Sequence, residues 1–233
     1  MSADERFWAV VPAAGSGSRF GGGTPKQYLP LAGRTVIEWA LEPLLAEPAI
    51  AGVMVAIAPG DRRFASLDVR ADKPVWTAIG GRERWQSVRR ALDVLVANGA
   101  QREDWVLVHD AARPCLEGGD LRRLLDALRD DAVGGLLAVP SPDTLKRADA
   151  NGRVGSTLDR RGVWRAQTPQ MFRLGSLVVA LDAAAGALTD EAAAMEASGA
   201  KPRLVPGSPA NLKVTTPDDL ELAECLIRRR AAC

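Results

Sequence analysis

A short apolar run, Phe7-Trp-Ala-Val-Val11, breaks at Pro12 into a loop that carries five glycines between Gly15 and Gly23. An apolar segment of helical period follows from Thr35, so the order is strand, glycine-rich loop, helix. α/β proteins build phosphate sites in this way. Bare glycine backbone lets N–H groups approach oxygens closely, and nearby cations offset the charge. Here the cations are Arg19 and Lys26. Two familiar versions of the site do not fit. A dinucleotide fingerprint needs glycine at its first, third and sixth positions, and Gly15-Ser-Gly-Ser-Arg-Phe20 fails at the sixth. A Walker loop ends in Gly-Lys-Ser/Thr, and Gly22-Gly23-Thr24 lacks the lysine. From the loop alone, a flexible turn with solvated charges stays open as the alternative.

The 233 residues suffice for one large α/β domain or two small ones. A formal net charge of +1 argues against a general nucleic-acid or membrane surface, so an anionic ligand must be met locally. Cys115, Cys225 and Cys233 are widely spaced, form no CxxC pair and accompany a single histidine, His109. Structural zinc and a histidine-rich metal site are therefore not expected. The opening Met-Ser-Ala-Asp-Glu-Arg is polar with no secretory apolar stretch behind it, and no apolar run approaches a membrane span. The expectation is a cytoplasmic protein with reduced thiols.

Along the chain, strands alternate with helices. Thr35 to Leu45 sets Val36, Ile37, Ala40, Leu41 and Leu44 on one helical face. Val53 to Ala58 reads as a strand, and the polar stretch from Asp61 to Lys73 as cover for an edge. Pro74 to Ile79 is a strand ending in Gly80-Gly81, and Arg84 to Ala97 a helix. Trp105 to Val108 is a strand ending in His109-Asp110, and Asp120 is expected to cap the next helix. Gly134 to Val139 is another strand. This alternation predicts a mostly parallel sheet with helices on both faces, whose ligands sit beyond the carboxyl ends of the strands. The glycine-rich loop, Gly80-Gly81 and Asp110 all fall at that rim, so a single site is expected.

Residues 141–162 depart from the pattern. Thr144 to Arg147 and Arg153 to Leu158 flank Asp149-Ala-Asn-Gly152, the signature of a hairpin with an Asn-Gly turn. It is polar at most positions, which suits either a solvated excursion or an arm that packs on a second subunit. The remainder reads as a strand over Val163 to Gln167, helical segments over Ala180 to Ala187 and Asp190 to Ser198, and a short strand over Arg203 to Val205. Thr216-Pro-Asp-Asp219 then opens a last helix. One domain over residues 1–233 with a protruding β-hairpin arm accounts for all of this most simply.

Seven blocks in this order carry a resemblance. They are Pro12-Ala-Ala-Gly-x-Gly-x-Arg19 with Pro25-Lys-Gln-Tyr28, Gly80-Gly-x-x-Arg-x-x-Ser-Val88, and Val108-His-Asp-Ala-Ala-Arg-Pro114. Asp143-Thr-Leu-Lys146, Trp164-Arg-Ala-Gln-Thr-Pro-Gln170, Thr189-Asp-Glu-Ala192 and Asn211-Leu-Lys-Val-Thr215 complete the set. Together they resemble sugar-nucleotide nucleotidyltransferases, and more closely the 2-C-methyl-D-erythritol 4-phosphate cytidylyltransferase family, from Val10 to Leu226. The resemblance implies a Rossmann-like fold, transfer of CMP from CTP to a polyol phosphate, Mg2+ or another divalent cation, and a homodimer. A phosphate nucleophile is already about −1.5 to −2 at neutral pH and needs no general base. Charge is the greater difficulty, and positioned cations and backbone donors relieve it.

By the same resemblance, Arg19 and Lys26 stabilise the transition state, while Ala13, Ala14, Gly15, Gly80, Gly81 and Ser87 hold the cytosine and ribose. Asp110, Arg113, Thr144 and Thr168 serve the acceptor, with Asp110 open to either sugar hydroxyls or the metal. Lys213 and Arg160 orient the acceptor phosphate, and Arg160 is implied to reach into a partner's site with Thr144 and Thr168. Arg84 is open between a ligand and a surface or salt-bridging residue, and His109 is expected to be packed rather than catalytic. Related sequences usually carry an acid where this chain has Ala210, so Lys213 is expected either to be less well positioned or to be held by Asp218 or Asp219 instead. The end at Cys233 is expected to leave no room for the cyclodiphosphate synthase domain fused to some relatives. Two other functions stay open: a cytidylyltransferase for another polyol phosphate such as ribitol 5-phosphate, and a nucleotide-binding module without turnover.

Overall fold

The computed structural model describes residues 6–15, 23–69, 71–184 and 188–231. The first strand, β1 (Phe7–Pro12), is buried from Trp8 to Val11 and becomes the middle of a seven-stranded sheet. Its alternate side chains feed both faces, Ala9 and Val11 one core and Trp8 and Val10 the other. A 3-10 turn over Lys26–Tyr28 leads into a small ladder of β2 (Pro30–Leu31) and β3 (Arg34–Thr35), which the sequence pattern missed. Ala32 and Gly33 turn that ladder, both at positive φ (45° and 82°), as a two-residue hairpin requires.

Helix α1 (Val36–Ala46) starts at the expected Thr35, whose side chain and Glu38 close a capping box. Strand β4 (Ile50–Ile57) begins three residues before the expected Val53, and strand β5 (Val75–Ile79), helix α2 (Arg84–Ala97) and strand β6 (Trp105–Val108) follow close to their expected bounds. Helix α3 (Gly118–Leu128) begins earlier than expected. Glu117 holds the capping position, and Asp120 sits in the first turn, accepting from the Ser208 amide at 2.8 Å and from Arg123 at 2.6 Å. A carboxylate there also meets the positive end of the helix dipole.

Beyond β7 (Gly134–Pro140), strands β8 (Leu145–Ala148) and β9 (Val154–Leu158) form the expected hairpin as a separate, exposed two-stranded sheet. The Asp149 side chain ties its turn by accepting from the Asn151 and Arg153 amides, both at 2.9 Å. Strand β10 (Trp164–Arg173) runs six residues past its expected end at Gln167, through Pro169. The β10–β7 register shifts between Ala166 and Gln170, so the proline falls where the ladder asks for no N–H. Helix α4 (Leu174–Ala183) therefore starts well before the expected Ala180, and residues 185–187 of that expected segment lie outside the described residues. Helix α5 (Glu191–Ala197), strand β11 (Arg203–Pro206) and helix α6 (Pro217–Ala231) close the chain.

The sheet order is β11-β7-β10-β6-β1-β4-β5, and every strand is parallel except β10. Helices α1 and α3 pack one face, and α2, α4 and α5 the other. The chain moves from β1 outward to β4 and β5, then returns to β6 on the far side of β1. That reversal opens a crevice between the carboxyl ends of β1 and β6, where ligands of such sheets bind.

Asp104 fastens the two central strands at their opposite end. Its buried carboxylate accepts from Trp8 Nε1 at 2.8 Å, the Arg6 amide at 3.1 Å and the Gln101 amide at 2.8 Å. Asp104→Ala leaves the buried Trp8 indole N–H without a partner and releases the part-buried Arg6 and Gln101 amides, so it should cost about 3 kcal/mol. Urea unfolding at constant slope checks this, and a loss below about 1 kcal/mol would contradict the role.

Candidate active site

The crevice is a cleft of about 730 Å³. Three chain segments leave strand ends to build it: Pro12–Gly15 after β1, Gly81–Arg84 after β5, and Asp110–Ala112 after β6. Lys26 and Gln27 form one rim, Lys213 and Thr215 the other. Among the expected site residues, Ala13, Ala14, Gly15, Lys26, Gly81, Ser87, Asp110 and Lys213 all line this space. Arg19 lies outside the described residues.

The nucleotide-side loops are held by buried amides. Gln27 Nε2 donates to Ala13 O at 2.7 Å and Gly15 O at 3.0 Å, bracing the start of the glycine-rich loop. Gly80 is buried rather than cleft-lining, and its role is close packing. A Cβ there would sit 2.4 Å from Ala14 Cβ and 2.8 Å from Ser87 Oγ. Its carbonyl accepts from Arg90 at 2.7 Å. Ser87 Oγ accepts from the Gly81 amide at 3.0 Å, and the Gln86 side chain takes the Arg82 and Glu83 amides. Lys26 Nζ donates to Val214 O at 3.0 Å, joining the two rims.

Asp110 organises the other wall. Its Oδ1 accepts from Arg84 Nε at 2.8 Å and its Oδ2 from Lys213 Nζ at 2.8 Å, with Arg113 Nε 3.8 Å away. Burial alone would push this carboxyl up, yet Arg84, Lys213 and Arg113 hold it far below the usual carboxylate range. Arg84 is thus a salt-bridging residue that also borders the cleft, and its terminal nitrogens are paired with Glu191. Burial opposes charge on Arg84, and the Glu191 and Asp110 carboxylates outweigh it. Lys213 needs no acid at Ala210 because Asp110 holds it. Asp219 is committed to the Thr215 and Thr216 amides, both at 2.8 Å, so the expectation of an acid borrowed from Asp218 or Asp219 is corrected.

Two expected acceptor residues are placed differently. Arg113 does not line the cleft, because its guanidinium donates to Asn211 O at 2.7 Å and Ala166 O at 3.3 Å. Thr168 is buried within its own chain, not reaching across. Its hydroxyl accepts from the Asp110 amide at 3.0 Å and donates to His109 Nδ1 at 3.0 Å. Thr144 and Arg160 are exposed at the base of the hairpin, away from this cleft, and Arg160 donates to Pro142 O. His109 is fully buried, with Nε2 donating to Arg113 O at 3.1 Å, and burial pushes its pKa down to about 4. Sequence reasoning assigned no role to Gln27 or Glu191, although both stand inside recognised blocks. Their long polar side chains were the available signal, and their partners lie in other segments.

A divalent cation fits Asp110 poorly. Both carboxylate oxygens already accept from cations, and the described residues contain no group of three or more His, Cys, Asp or Glu side chains that could hold a metal. Magnesium characteristically takes one or two carboxylates plus substrate phosphates and water, so phosphate oxygens are the better ligands here.

Fold and cleft together define a class: a Rossmann-like α/β protein with a nucleotide-sized cleft, small backbone-rich walls and a cationic rim. The comparisons narrow it. The family model for 2-C-methyl-D-erythritol 4-phosphate cytidylyltransferase (IspD) matches residues 7–229. A protein of that name from Pseudomonas putida (strain GB-1) is 56% identical over 218 residues, covering 92% of this chain and 93% of the relative. Its namesake from Pseudomonas aeruginosa (strain UCBPP-PA14) is 58% identical over 217 residues, with the same coverage of 92% and 93%. A crystal structure of a 4-diphosphocytidyl-2C-methyl-D-erythritol synthase superposes with a TM-score of 0.85 at 37% identity, covering 96% of this chain and 99% of that one. The Francisella tularensis 2-C-methyl-D-erythritol 4-phosphate cytidylyltransferase structure gives 0.80 at 36% identity, covering 95% and 100%. The chain belongs to the 2-C-methyl-D-erythritol 4-phosphate cytidylyltransferase family.

Buried His109 sets an acid limit on the fold. Its folded pKa is lowered from 6.5 to about 4, so the unfolded chain takes up the proton first. Stability should fall as pH drops through that window, by up to about 1.4 kcal/mol per pH unit. Asp110, whose folded pKa is depressed, keeps its full contribution above the ordinary carboxylate range and loses it only below. Urea unfolding between pH 7 and 4 should show this slope in the wild type and lose it in His109→Gln. An unchanged slope in the variant would contradict the assignment.

Proposed function

We propose that this chain transfers CMP from CTP to 2-C-methyl-D-erythritol 4-phosphate and releases pyrophosphate. The observation that carries the reading is the pairing of two unlike walls across one cleft. One is small and backbone-rich, suited to a flat base and a ribose; the other offers Asp110 and Lys213, suited to a hydroxylated phosphate ester. In the reaction an oxygen of the acceptor phosphate bonds to the α-phosphorus of CTP, and the bond from that phosphorus to the bridging β-oxygen breaks. The electron pair leaves with pyrophosphate. No proton must be removed from the nucleophile, in keeping with a lone histidine that is buried and fully hydrogen bonded.

Lys26, with Arg19, is assigned to the charge that develops at the reacting phosphorus, and Lys213 to the acceptor phosphate. The Asp110 carboxylate accepts from acceptor hydroxyls. A divalent cation, magnesium or another, would be held by the triphosphate and would lower its charge toward the incoming anion. We assign the hairpin over 141–162 to a homodimer in which Thr144 and Arg160 complete the partner's cleft. Its exposed strands and the 66% exposure of Val154 support a covered surface. No helix among the described residues is long and apolar enough to cross a membrane, and we place the enzyme in the cytoplasm.

Pyrophosphate release from CTP should be fast with 2-C-methyl-D-erythritol 4-phosphate and slow with ribitol 5-phosphate; the reverse order would replace the acceptor. Removing a donor aimed at developing charge costs roughly 3 kcal/mol, so Lys26→Ala or Arg19→Ala should cut turnover by about a hundredfold while CTP still binds. Near-normal turnover in either would remove its role. Mixing Arg160→Ala with Lys26→Ala chains should restore part of the activity through heterodimers that keep one intact cleft. A fully active monomer in sedimentation would end the shared site.

A further inference from the structure

Glu191 is the fully buried carboxylate nearest the Asp110 wall, yet it is not part of the cleft lining. Its two oxygens accept from Arg84 Nη1 at 2.6 Å and Nη2 at 3.0 Å. Arg84 has one edge left, and its Nε meets Asp110 Oδ1 at 2.8 Å. The carboxylate is itself fixed in place. It opens α5, and Gln170 of β10 clamps that helix start, accepting from the Ala192 amide at 2.8 Å and donating to Asp190 at 2.9 Å. A continuous set of polar contacts therefore runs from the antiparallel strand through Glu191 and Arg84 to the acceptor wall.

A guanidinium is the side chain best shaped to grip phosphate oxygens with two parallel donors. Arg84 borders the cleft and its side chain is 24% exposed, so with free terminal nitrogens it would compete for the triphosphate. We propose that Glu191 is a positioning residue for cytidylyl transfer: it occupies the phosphate-binding fork of Arg84 and leaves only Nε, which aims Asp110 at the acceptor. The carboxylate also cancels one positive charge beside the cleft. The inference rests on the cytidylyltransferase reading and deepens its acceptor side. It gives a role to a block, Thr189 to Ala192, that the reaction chemistry left without one.

Two variants of the full chain test it, Glu191→Gln and Arg84→Lys. An amide keeps the shape of the Glu191 side chain but removes its charge and one of its acceptors. A lysine keeps the positive charge but, as a compact ammonium, cannot bridge both carboxylates in the same geometry. Steady-state kinetics with 2-C-methyl-D-erythritol 4-phosphate at saturating CTP and magnesium would be set beside equilibrium binding of CTP alone. In Glu191→Gln the acceptor KM should rise about tenfold or more, with CTP affinity unchanged or tighter because a fork has been released near the phosphates. Arg84→Lys should raise the acceptor KM without tightening CTP. Acceptor KM values within about twofold of wild type in both variants would overturn the proposal. Parallel weakening of both substrates would overturn it too, since that is what a purely structural prop produces. If Glu191→Gln fails to fold, the same split in Arg84→Lys decides. A wild-type chain without turnover would remove the functional reading along with this one, whereas unaltered variants of an active wild type remove this one alone.

Discussion

A buried carboxylate shared by positive side chains from separate parts of the chain is the interaction on which the site depends. Asp110 leaves β6 into a place almost closed to water, where an isolated negative charge would cost several kcal/mol. Arg84 arrives from α2 and Lys213 from the segment between β11 and α6, each 2.8 Å from a different oxygen. Such a group is worth little as net stability, because the desolvation of each ion offsets much of the attraction. Its consequence is positional. Removing Arg84 would leave the buried Glu191 without its counter-charge and take one of two close cations from Asp110, so the members hold one another at fixed places around the cleft.

The scaffold makes that arrangement possible. The crevice exists because the chain reverses direction about β1, and β1 is locked to β6 at the far end by Asp104. Packing then brings the loops within reach. Gly80 lets the β5 loop lie against Ala14 and Ser87 at distances that no side chain would allow. Gln27 and Gln170 fasten the glycine-rich loop and the start of α5, each by two hydrogen bonds from one amide. The walls of the cleft therefore rest on strand ends and clamped helix starts, which hold geometry better than free loops do.

Local patterns carried most of the fold. The apolar run of β1, the helical stripes of α1 and α2, and the Asn-Gly turn of the hairpin each declare themselves within a few residues. Errors arose where distant partners decided the outcome. The strand read over Val163 to Gln167 does not stop there, because the register shift opposite β7 absorbs Pro169 and carries β10 on to Arg173. Asp120 has the side chain of a cap, yet the Ser208 amide and Arg123 claim it from the first turn. The site shows the same division. Asp110 and Lys213 were legible as separate residues, but their contact was not, and so the acid absent at Ala210 was sought in the wrong place. Glu191 lay hidden because 107 residues separate it from Arg84, and neither neighbourhood announces the pair.

The central claim, that one ionised carboxylate holds the acceptor wall together, is open to a direct reading. Carbon-13 titration of the Asp110 side-chain carboxyl would follow its charge while the fold stays intact. Held by Arg84 and Lys213, the carboxyl carbon should show no protonation step in the ordinary carboxylate range and should change only when acid unfolds the chain. A midpoint near about 4 in folded protein would mean that the surrounding cations do not grip this group, and the arrangement described would be wrong.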